Sequence, residues 1–425
     1  MTLLSLSLRG ALLAYGLYSV GPSLHRRATV LGLLRKYPPG TVGTHEEVIT
    51  IADTVNCEDL HYHAPSGTLF TACEDDPDTR FKWFPPLANF DDPELGGRSR
   101  GSLHVVDPKT MKSHRLKFEN FNGPFITHGI DVIPDREKAE GEAVYIFAIN
   151  HVPETQVSGA KGPHARSQLE VFHHVIGSSS AKHLRSVWHP LIRTPNDIFA
   201  ESPTSIYVSN DHLYREHGLM RTLEDGYPGA KWTETVHLQL DSLSAAESQA
   251  GVTARVALSG MHNNNGLGHG RSDHEILISS CTSGVMFIGQ VPSGGEGNIT
   301  LTDRVEFPHI VDNPSYFADP YATPGDDRSG FLEAGLGRAI DLAGNQRNPT
   351  ALDPVLVSYA REVSPGQWQT RVLLEDDGTK IRSSSAAVLV AIDPATEGGA
   401  AGGRKAWLFV TGFLSKSMVA VKVDL

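Results

Sequence analysis

The 425-residue sequence predicts an all-β protein, a six-bladed β-propeller with an apolar helix at its N-terminus. From about residue 46 onward, short runs rich in Val, Ile, Leu, Phe and Tyr recur between turn residues. Helical periodicity is nearly absent from this region, and no strand–helix alternation indicates a doubly wound sheet. Because the runs are spread evenly through a chain with 41 glycines and 26 prolines, a propeller is favoured over a sandwich.

The expected strands make residues 40–425 one propeller domain. At four strands per blade, this span holds about six blades of roughly 60–65 residues each. The C-terminal run Ser417–Leu425 is placed to close the ring against an early strand, and Leu213–Thr222 is the only inner helical candidate. The main strand candidates are Glu47–Ile51, Thr68–Ala72, Ser102–Val106, Ala143–Ile149, Leu169–Val175, Ser205–Ser209, Thr235–Leu240, Glu275–Ser279, Val285–Val291, Pro354–Tyr359, Arg371–Glu375, Ala386–Ile392 and Lys405–Thr411.

The N-terminal residues 1–25 are predicted to form a retained signal-anchor helix. Leu3 to Val20 is mostly apolar, is interrupted by Arg9, and is followed by the basic pair Arg26–Arg27. A cleaved secretion signal and a buried N-terminal helix are the alternatives. The acceptor sequence Asn298-Ile-Thr300 is compatible with a glycoprotein. We therefore expect the secretory pathway, with the protein either secreted or held at a membrane or lipid surface by this helix.

The net charge and the cysteine content limit which partners and which metal sites are expected. The formal net charge is −12, which argues against nucleic acid and fits a protein that holds cations. Three cysteines allow at most one disulfide, and the absence of a C-x-x-C pair argues against a structural zinc site.

Two other patterns suggest chemistry that their context contradicts. Ser99 lies in a G-x-S-x-G sequence, but that motif requires a strand-to-helix turn, whereas a strand is expected to follow here. Twenty histidines include the local pairs His61/His63, His173/His174 and His262/His269, but no zinc-protease spacing is present. Hydrogen-bonded structural histidines are the commoner outcome for such pairs.

Five remote segments place an acid or an amide, and in one case a histidine, at the end of an apolar run. Calcium prefers six to eight oxygen ligands from carboxylates, amides and backbone carbonyls, and the inner strands of a propeller can bring remote residues around one ion. Taken singly, each segment is more often a turn. The segments are Cys57-Glu58-Asp59, His128-Gly129-Ile130, Pro195-Asn196-Asp197, Asn264-Asn265-Gly266 and Val311-Asp312-Asn313.

Together with Asn150-His151 and Asn210-Asp211-His212, these segments resemble the serum paraoxonase/arylesterase family in identity and order, over roughly residues 45–425. The resemblance implies a calcium-dependent hydrolase of lactones or aryl esters with two calcium ions in the central tunnel. The catalytic ion would be bound by Glu58, Asn196, Asn265, Asp312 and Asn313. The buried structural ion would be bound by Asp59, Asp197 and the backbone carbonyl of Ile130.

The same resemblance implies that His128 and His151 form a dyad, with His128 as the general base on a water molecule. A small-molecule lactone or ester is the expected substrate. Two alternatives are a propeller of the strictosidine-synthase type with other chemistry, and a non-catalytic scaffold stabilised by calcium. The sequence departs from the family pattern where Thr127 replaces the usual proline, in the histidine-rich stretch 261–270, in the loop at 314–330, and in lacking cysteines to join the terminal strands.

Overall fold

Six β-sheets of four or five strands follow one another around a central axis in the computed structural model. The structure describes residues 21–43, 48–154, 164–292, 294, 297–396 and 403–425. The prediction of an all-β, six-bladed propeller is confirmed. Each blade is built on an antiparallel meander whose first strand faces the axis. In the fifth and sixth blades the outermost strand comes from the start of the chain, and in the second blade the outermost strand pairs in parallel.

The first three blades account for residues 60–261. Blade 1 contains β3 (Leu60–His63), β4 (Thr68–Glu74), β7 (Gly101–Asp107) and β8 (Lys112–Arg115), with the small sheet β5 (Trp83–Phe84) and β6 (Asn89–Phe90) inserted between β4 and β7. Blade 2 contains β10 (Thr127–Pro134), β11 (Ala143–Pro153), β12 (Ala165–Val175) and β13 (Ser180–Val187), and β9 (Lys117–Glu119) pairs in parallel with β13. Blade 3 contains β14 (Pro195–Ser202), β15 (Ser205–Asn210), β16 (Thr233–Leu240) and β17 (Val252–Met261).

The last three blades complete the ring. Blade 4 contains β18 (Asn264–His269), β19 (Glu275–Ser280), β20 (Val285–Gln290) and β21 (Thr300–Glu306). Blade 5 contains β22 (Ser315–Phe317), β23 (Gly330–Leu336), β24 (Val355–Ser364) and β25 (Gln367–Asp376), with β1 (Thr41–Val42) on its outer edge. Blade 6 contains β26 (Ser384–Ala391), β27 (Lys405–Gly412), β28 (Met418–Asp424) and β2 (Ile49–Ile51).

Ring closure depends on the pairing of β2 with β28. Ile49 lies opposite Ala420 and Ile51 lies opposite Met418 in an antiparallel register. The prediction that the C-terminal run closes the ring against an early strand is therefore confirmed. A disulfide joins Cys57 to Cys73 inside blade 1, which leaves Cys281 as the free thiol.

Among the described residues, six of the apolar core clusters lie between neighbouring blades, one for each pair. The cluster between blades 5 and 6, for example, packs Val357 and Leu374 with Leu408 and Val421. The cluster between blades 6 and 1 packs Phe409 with Leu69 and Val106. The other four clusters join blades 1 and 2, 2 and 3, 3 and 4, and 4 and 5. Since the middle strands are covered on both faces, they are apolar runs rather than alternating ones.

Helices are short and peripheral. Residues 21–30 are helical (α1), and the other helices are α2 (Pro77–Lys82), α3 (Pro93–Gly96), α4 (Leu219–Gly226) and α5 (Leu342–Asn345), with 3-10 turns at Pro85–Leu87, Cys281–Ser283 and Ala339–Asp341. The inner helix expected at Leu213–Thr222 instead begins at Leu219, because residues 213–218 form the loop that leads into it.

The predicted signal-anchor at 1–25 lies mostly outside the described residues. Within the described part, α1 packs on the propeller through Val30, which is fully buried with Ile310 and Leu336. No helix among the described residues is long and apolar enough to cross a membrane.

Candidate active site

The predicted site residues lie at one end of the inner strands. The inner strands β3, β10, β14, β18, β22 and β26 run in the same direction around the axis, and neighbouring ones contact each other. His128 and Ile130 lie at the start of β10, Asn196 and Asp197 at the start of β14, and Asn265 at the start of β18. The pair Glu58-Asp59 immediately precedes β3, and Asp312-Asn313 precedes β22 with Pro314 between them. The fold therefore gathers residues that are more than 250 positions apart in the chain, as the Asn313–Glu58 contact shows.

Two glycines allow these strands to approach closely. A Cβ atom on Gly129 would lie 2.5 Å from the Asn196 carbonyl oxygen and 2.7 Å from the Cα atom of Asp197. A Cβ atom on Gly266 would lie 2.5 Å from the Cα atom of Asn313 and 2.7 Å from its side-chain oxygen. Both positions thus bring backbone against backbone at the axis, where only glycine fits.

The first predicted ligand set contains buried oxygen atoms without partners. Asn313 Nδ2 donates to Glu58 Oε1 at 3.0 Å, and both residues are at most 3% exposed. Glu58 Oε2, Asn196 Oδ1 and Asn313 Oδ1 are buried and have no hydrogen-bond partner among the described residues. A buried polar atom without a partner is costly, so three such oxygen atoms in one place fit a cation that would bind them.

The electrostatics of the first predicted ligand set also favour a bound cation. Burial, together with the nearby Asp312 and Asp59, raises the pKa of Glu58 well above its usual value. Burial and the nearby Glu333, Asp59 and Asp211 likewise raise the pKa of Asp312. These carboxylates repel one another in a desolvated place, and a divalent cation would remove that repulsion. Asp312 and Asn265 are partly exposed, so this set is open to solvent on one side.

Carboxylates and histidines alone do not make the site. In the described parts of the chain, no group of three or more His, Cys, Asp or Glu side chains is arranged to hold a metal ion. The first predicted ligand set would also require the amide oxygens of Asn196, Asn265 and Asn313 in addition to Glu58 and Asp312.

The second predicted set, Asp59, Asp197 and the Ile130 carbonyl, has different surroundings. Asp197 Oδ1 and Oδ2 each accept a backbone N–H at 2.7 Å, from Ile198 and Leu267. Asp59 Oδ1 accepts from Leu60 N at 2.7 Å, and Asp59 Oδ2 accepts from Ile130 N at 2.9 Å. All of these carboxylate oxygens therefore already have a donor.

The ring of His61 also contacts this second set. His61 Nε2 lies 3.2 Å from Asp59 Oδ2, and the ring forms a further hydrogen bond with the backbone of Ile130. His61 Nδ1 lies 3.5 Å from Asp131 Oδ1. Both ring nitrogens face carboxylate oxygens, and such neighbours favour the charged form of an imidazole. Although burial opposes it, Asp59 and Asp131 raise the pKa of His61 to about 9.

His128 and His151 are in direct contact. His128 Nδ1 lies 3.1 Å from His151 Nε2, and His151 Nδ1 lies 2.8 Å from the Ser167 hydroxyl. On its other side, His128 Nε2 faces the first ligand set, at 3.5 Å from Asn196 Nδ2 and 3.9 Å from Glu58 Oε1. The two histidines are brought together because β11 runs antiparallel to β10, with Asn150 opposite Thr127.

Both histidines are neutral in this environment. Burial lowers the pKa of His128 to about 4, with the Asp211 carboxylate opposing the shift and Arg80 adding to it. Burial, with smaller contributions from His128 and Arg80, lowers the pKa of His151 well below its usual value. A neutral imidazole with a free nitrogen is the form that can accept a proton.

A model of the arylesterase family matches residues 101–313, about half of the chain. The protein belongs to the arylesterase family. It is 30% identical over 141 residues to serum paraoxonase/arylesterase 2 of Gallus gallus, a stretch covering 32% of this chain and 35% of that relative. It is 24% identical to the Homo sapiens protein of the same name, over 55% of this chain and 57% of the relative. Serum paraoxonase/arylesterase 1 of Rattus norvegicus is 26% identical, over 63% and 67%. The chain thus spans about a third to two thirds of these relatives' lengths.

The inserted segment between β4 and β7 supports the histidine pair of this arylesterase-family protein. Trp83 Nε1 donates to the His151 carbonyl at 2.9 Å, and the Phe84 ring lies edge-on to both histidine rings, with centroids 5.2 and 5.9 Å apart. Arg80, fully buried, stacks on Phe84 and donates to the carbonyls of Thr127 and Asn56. Sequence reasoning missed these residues, because an insertion of two-residue strands and a short helix has no periodic signal.

Blade 6 holds the loop that carries Glu58. The Ser385 hydroxyl donates to the Glu58 carbonyl, and the Thr411 hydroxyl donates to the same oxygen at 3.1 Å. These two residues were also missed, because Ser and Thr in a strand carry no positional signal of their own.

The remaining sequence motifs have structural roles. Asn150 Oδ1 accepts from Ile126 N, and Asn210 Oδ1 accepts from the backbone of Arg193 and Thr194, so both asparagines fix the loops before the inner strands. Asp211 contacts His212 Nδ1 at 3.0 Å rather than either histidine of the pair.

Local contacts also explain Ser99 and the histidine pairs, whose catalytic and zinc-binding interpretations were rejected from the sequence. The Ser99 hydroxyl is buried and donates to Glu74 Oε1 at 2.7 Å, ahead of strand β7, so the motif lacks its nucleophile turn. His173 contacts Asp135, and His262 contacts the Glu224 carbonyl and the Ser283 hydroxyl. These contacts agree with the structural role that was expected as the commoner outcome.

Proposed function

We propose that this arylesterase-family protein is a calcium-dependent hydrolase of lactones or aryl esters. The observation that supports the proposal is the meeting of three unpartnered, buried oxygen atoms with a neutral histidine pair at one end of the tunnel. Family membership supports ester hydrolysis, since relatives bear names such as serum paraoxonase/arylesterase and serum paraoxonase/lactonase. A scaffold that uses calcium only for stability would not require the contact between His128 and His151.

The residues that would hold the catalytic calcium ion are Glu58, Asn196, Asn265, Asp312 and Asn313. Two carboxylates balance the charge of a divalent ion, and three amides add neutral oxygen donors of the kind that calcium prefers. When bound, the ion would supply Lewis-acid polarisation of the substrate carbonyl and stabilise the oxyanion that forms on it. The buried second ion of the sequence prediction would have to share Asp59 and the Ile130 carbonyl with the ring of His61.

The histidine pair would activate water. The hydrogen-bond chain is satisfied when His128 Nδ1–H donates to His151 Nε2 and His151 Nδ1–H donates to the Ser167 hydroxyl. His128 Nε2 then carries the acceptor lone pair, which faces the ligand set at 3.5 Å from Asn196 Nδ2. It would accept a proton from a water molecule whose oxygen attacks the carbonyl carbon.

The same proton completes the reaction. As the tetrahedral intermediate collapses, the bond between the carbonyl carbon and the alkoxy or aryloxy oxygen breaks. His128 returns its proton to the leaving oxygen, so an aryl ester gives a carboxylic acid and a phenol, whereas a lactone opens to a single hydroxy acid. The Glu58 carboxylate, 3.9 Å from Nε2, would stabilise the imidazolium in between.

A secretory location is part of the proposal. The Cys57–Cys73 disulfide supports an oxidising compartment, and the acceptor Asn298 is exposed. Membrane or lipid association through residues 1–25 stays a prediction, which fractionation of the full-length protein tests.

The experiment that tests the proposal is a panel of neutral lactones and aryl esters assayed with calcium, and after EGTA treatment. We expect hydrolysis that is lost with EGTA and restored by calcium but not by magnesium, which demands tighter octahedral geometry. Hydrolysis that persists after complete chelation would contradict calcium dependence. Absence of hydrolysis on the whole panel would contradict the proposed activity for these substrates.

A further inference from the structure

A cleft beside the histidine pair is lined by three arginines. His151 and Ser167 contribute to its lining, and so do Arg193, Arg215 and Arg221 from the segments before β14 and after β15. Asp211 is the only carboxylate among the residues that line the described cleft. Its charge is already shared with His212, which lies 3.0 Å away. Three arginines against one carboxylate therefore line the cleft on the side of the histidine pair formed by His151 and Ser167.

The three arginines differ in how many hydrogen bonds and ion pairs their guanidinium groups form within the protein. Arg221 is committed, since it donates to the carbonyls of Tyr214 and Pro86 and lies 3.4 Å from the Asp225 carboxylate. Arg193 donates to Glu234 with Nη2, but its buried Nε has no partner among the described residues. The positive charge of Arg221 thus supports the protein, whereas Arg193 retains an unused buried donor.

Arg215 is the least satisfied of the three. Its Nη1 donates to the Ala165 carbonyl at 2.7 Å, and it forms no ion pair within 4.0 Å with a carboxylate of the described residues. Burial lowers the pKa of Arg215, Glu216 and Asp211 oppose the shift, and the neighbouring Arg193 adds to it. Burial and the neighbouring Arg193 thus both disfavour the charged form of Arg215, and an anion bound in the cleft would favour it.

We infer that the preferred substrate is an anionic lactone or ester, with a carboxylate or similar group that Arg215 and Arg193 bind while its carbonyl faces His128. The inference rests on the proposed function, since it names the substrate class of the same site. Guanidinium groups bind carboxylates through paired, charge-assisted hydrogen bonds, which fix orientation as well as adding affinity. A neutral ester of equal size would leave the arginine donors without a partner in the closed cleft.

The test compares phenyl acetate with monophenyl succinate, which carries an added carboxymethyl group, on the calcium-loaded full-length protein, and the change of their ratio in the variants separates charge from size. We expect kcat/KM to favour monophenyl succinate. Arg215→Gln should lower kcat/KM for that ester about 10- to 100-fold, the usual effect of losing a hydrogen bond to a charged group, while phenyl acetate changes less than about 3-fold. Arg215→Lys keeps the charge and should recover part of the loss.

The matched control is Arg136→Gln, which makes the same change of charge at an exposed residue that pairs with Asp273 outside the cleft. This variant should leave the ratio of the kcat/KM values for the two esters unchanged. Melting temperatures of all variants separate a local effect from misfolding.

A binding measurement separates this inference from the proposed activity. Calorimetry with succinanilic acid and acetanilide, the amide counterparts of the two esters, needs no turnover. Tighter binding of succinanilic acid that is lost in Arg215→Gln supports the anion site, whether or not the esters are hydrolysed. Absence of hydrolysis of both esters would refute the proposed activity and not the anion site. If the carboxylate brings no advantage in rate or in binding, or if Arg215→Gln changes both members of each pair equally, the inference is overturned.

Discussion

His128 contacts the ligand set with one nitrogen and His151 with the other, so its two roles can be separated by mutation. We expect His128→Gln to lower kcat for lactones and aryl esters about 10²- to 10⁴-fold, because general-base assistance is lost. Calcium affinity should stay nearly intact, because the imidazole is not among the expected ligands. Steady-state kinetics and a calcium titration measure the two effects. Turnover near the wild-type level on every substrate would mean that the histidine pair is structural.

Asp312 is expected to show the opposite pattern. Asp312→Asn removes one of the two carboxylates that would balance the charge of the ion, so calcium affinity and activity should fall together. Raising the calcium concentration should recover most of the activity, whereas it should not rescue His128→Gln. Loss of activity at unchanged calcium affinity would place Asp312 outside the ligand set.

His61 leads to a prediction about how many ions bind. Its ring is hydrogen bonded to Asp59 and to the backbone of Ile130, two of the three groups expected to hold the buried ion. We therefore expect the wild type to bind one calcium ion per chain tightly, and His61→Ala to gain a second. Equilibrium dialysis with elemental analysis measures both numbers. Two tightly bound ions in the wild type would instead support the two-ion prediction made from the sequence.

At the scale of elements, the starts of the inner strands were the most predictable feature. Asn196-Asp197 and Asn265-Gly266 could be placed from the sequence because an apolar strand begins or ends beside them and because their order matches a family. Arg80 and Phe84 could not be placed, because they reach the histidines from an insertion whose path depends on tertiary contacts. The cleft arginines were missed for the same reason, since loops around a propeller axis carry no period.

The close approach of β18 to the segment before β22 can be tested by adding one methyl group at Gly266. Gly266→Ala would place a Cβ atom 2.5 Å from the Cα atom of Asn313, so the backbone must shift. We expect stability to fall by about 1–3 kcal/mol, with a parallel loss of calcium affinity. Gly344→Ala is the control, since a Cβ atom there meets nothing within 4 Å. Urea denaturation and calcium titration compare the two, and equal behaviour would refute the argument.

At the scale of the whole molecule, buried neutral histidines should make the protein sensitive to acid. Burial lowers the pKa of both His104 and His309 to about 4. Because these values lie below that of an unfolded histidine, the stabilisation is present above about pH 6.5 and is lost as the pH falls towards 4. Protonation of each of these two histidines should lower the free energy of unfolding by about 1–2 kcal/mol between pH 7 and pH 5.

Denaturation at pH 7 and pH 5 checks this expectation, with His104→Gln as the informative variant. His104 contacts the hydroxyls of Ser102 and Ser113 at 2.7 Å, contacts that an amide can partly reproduce. The variant should lose about 1–2 kcal/mol less than the wild type on acidification. An identical loss in both proteins would show that His104 titrates normally.

The pairing of β2 with β28 also governs the order in which the protein can be assembled. Met418 N donates to the Thr54 hydroxyl across 364 positions of sequence, and Ser385 holds the Glu58 carbonyl from the same blade. At the usual 5–20 residues per second of translation, the strand β2 waits roughly 20–70 s on the ribosome for its partner. Blades 1 to 4 can form during synthesis, but the ring and the Glu58 loop are completed only after the last strand emerges. Nascent chains should therefore acquire protease resistance blade by blade, and calcium affinity only once β28 has emerged from the ribosome.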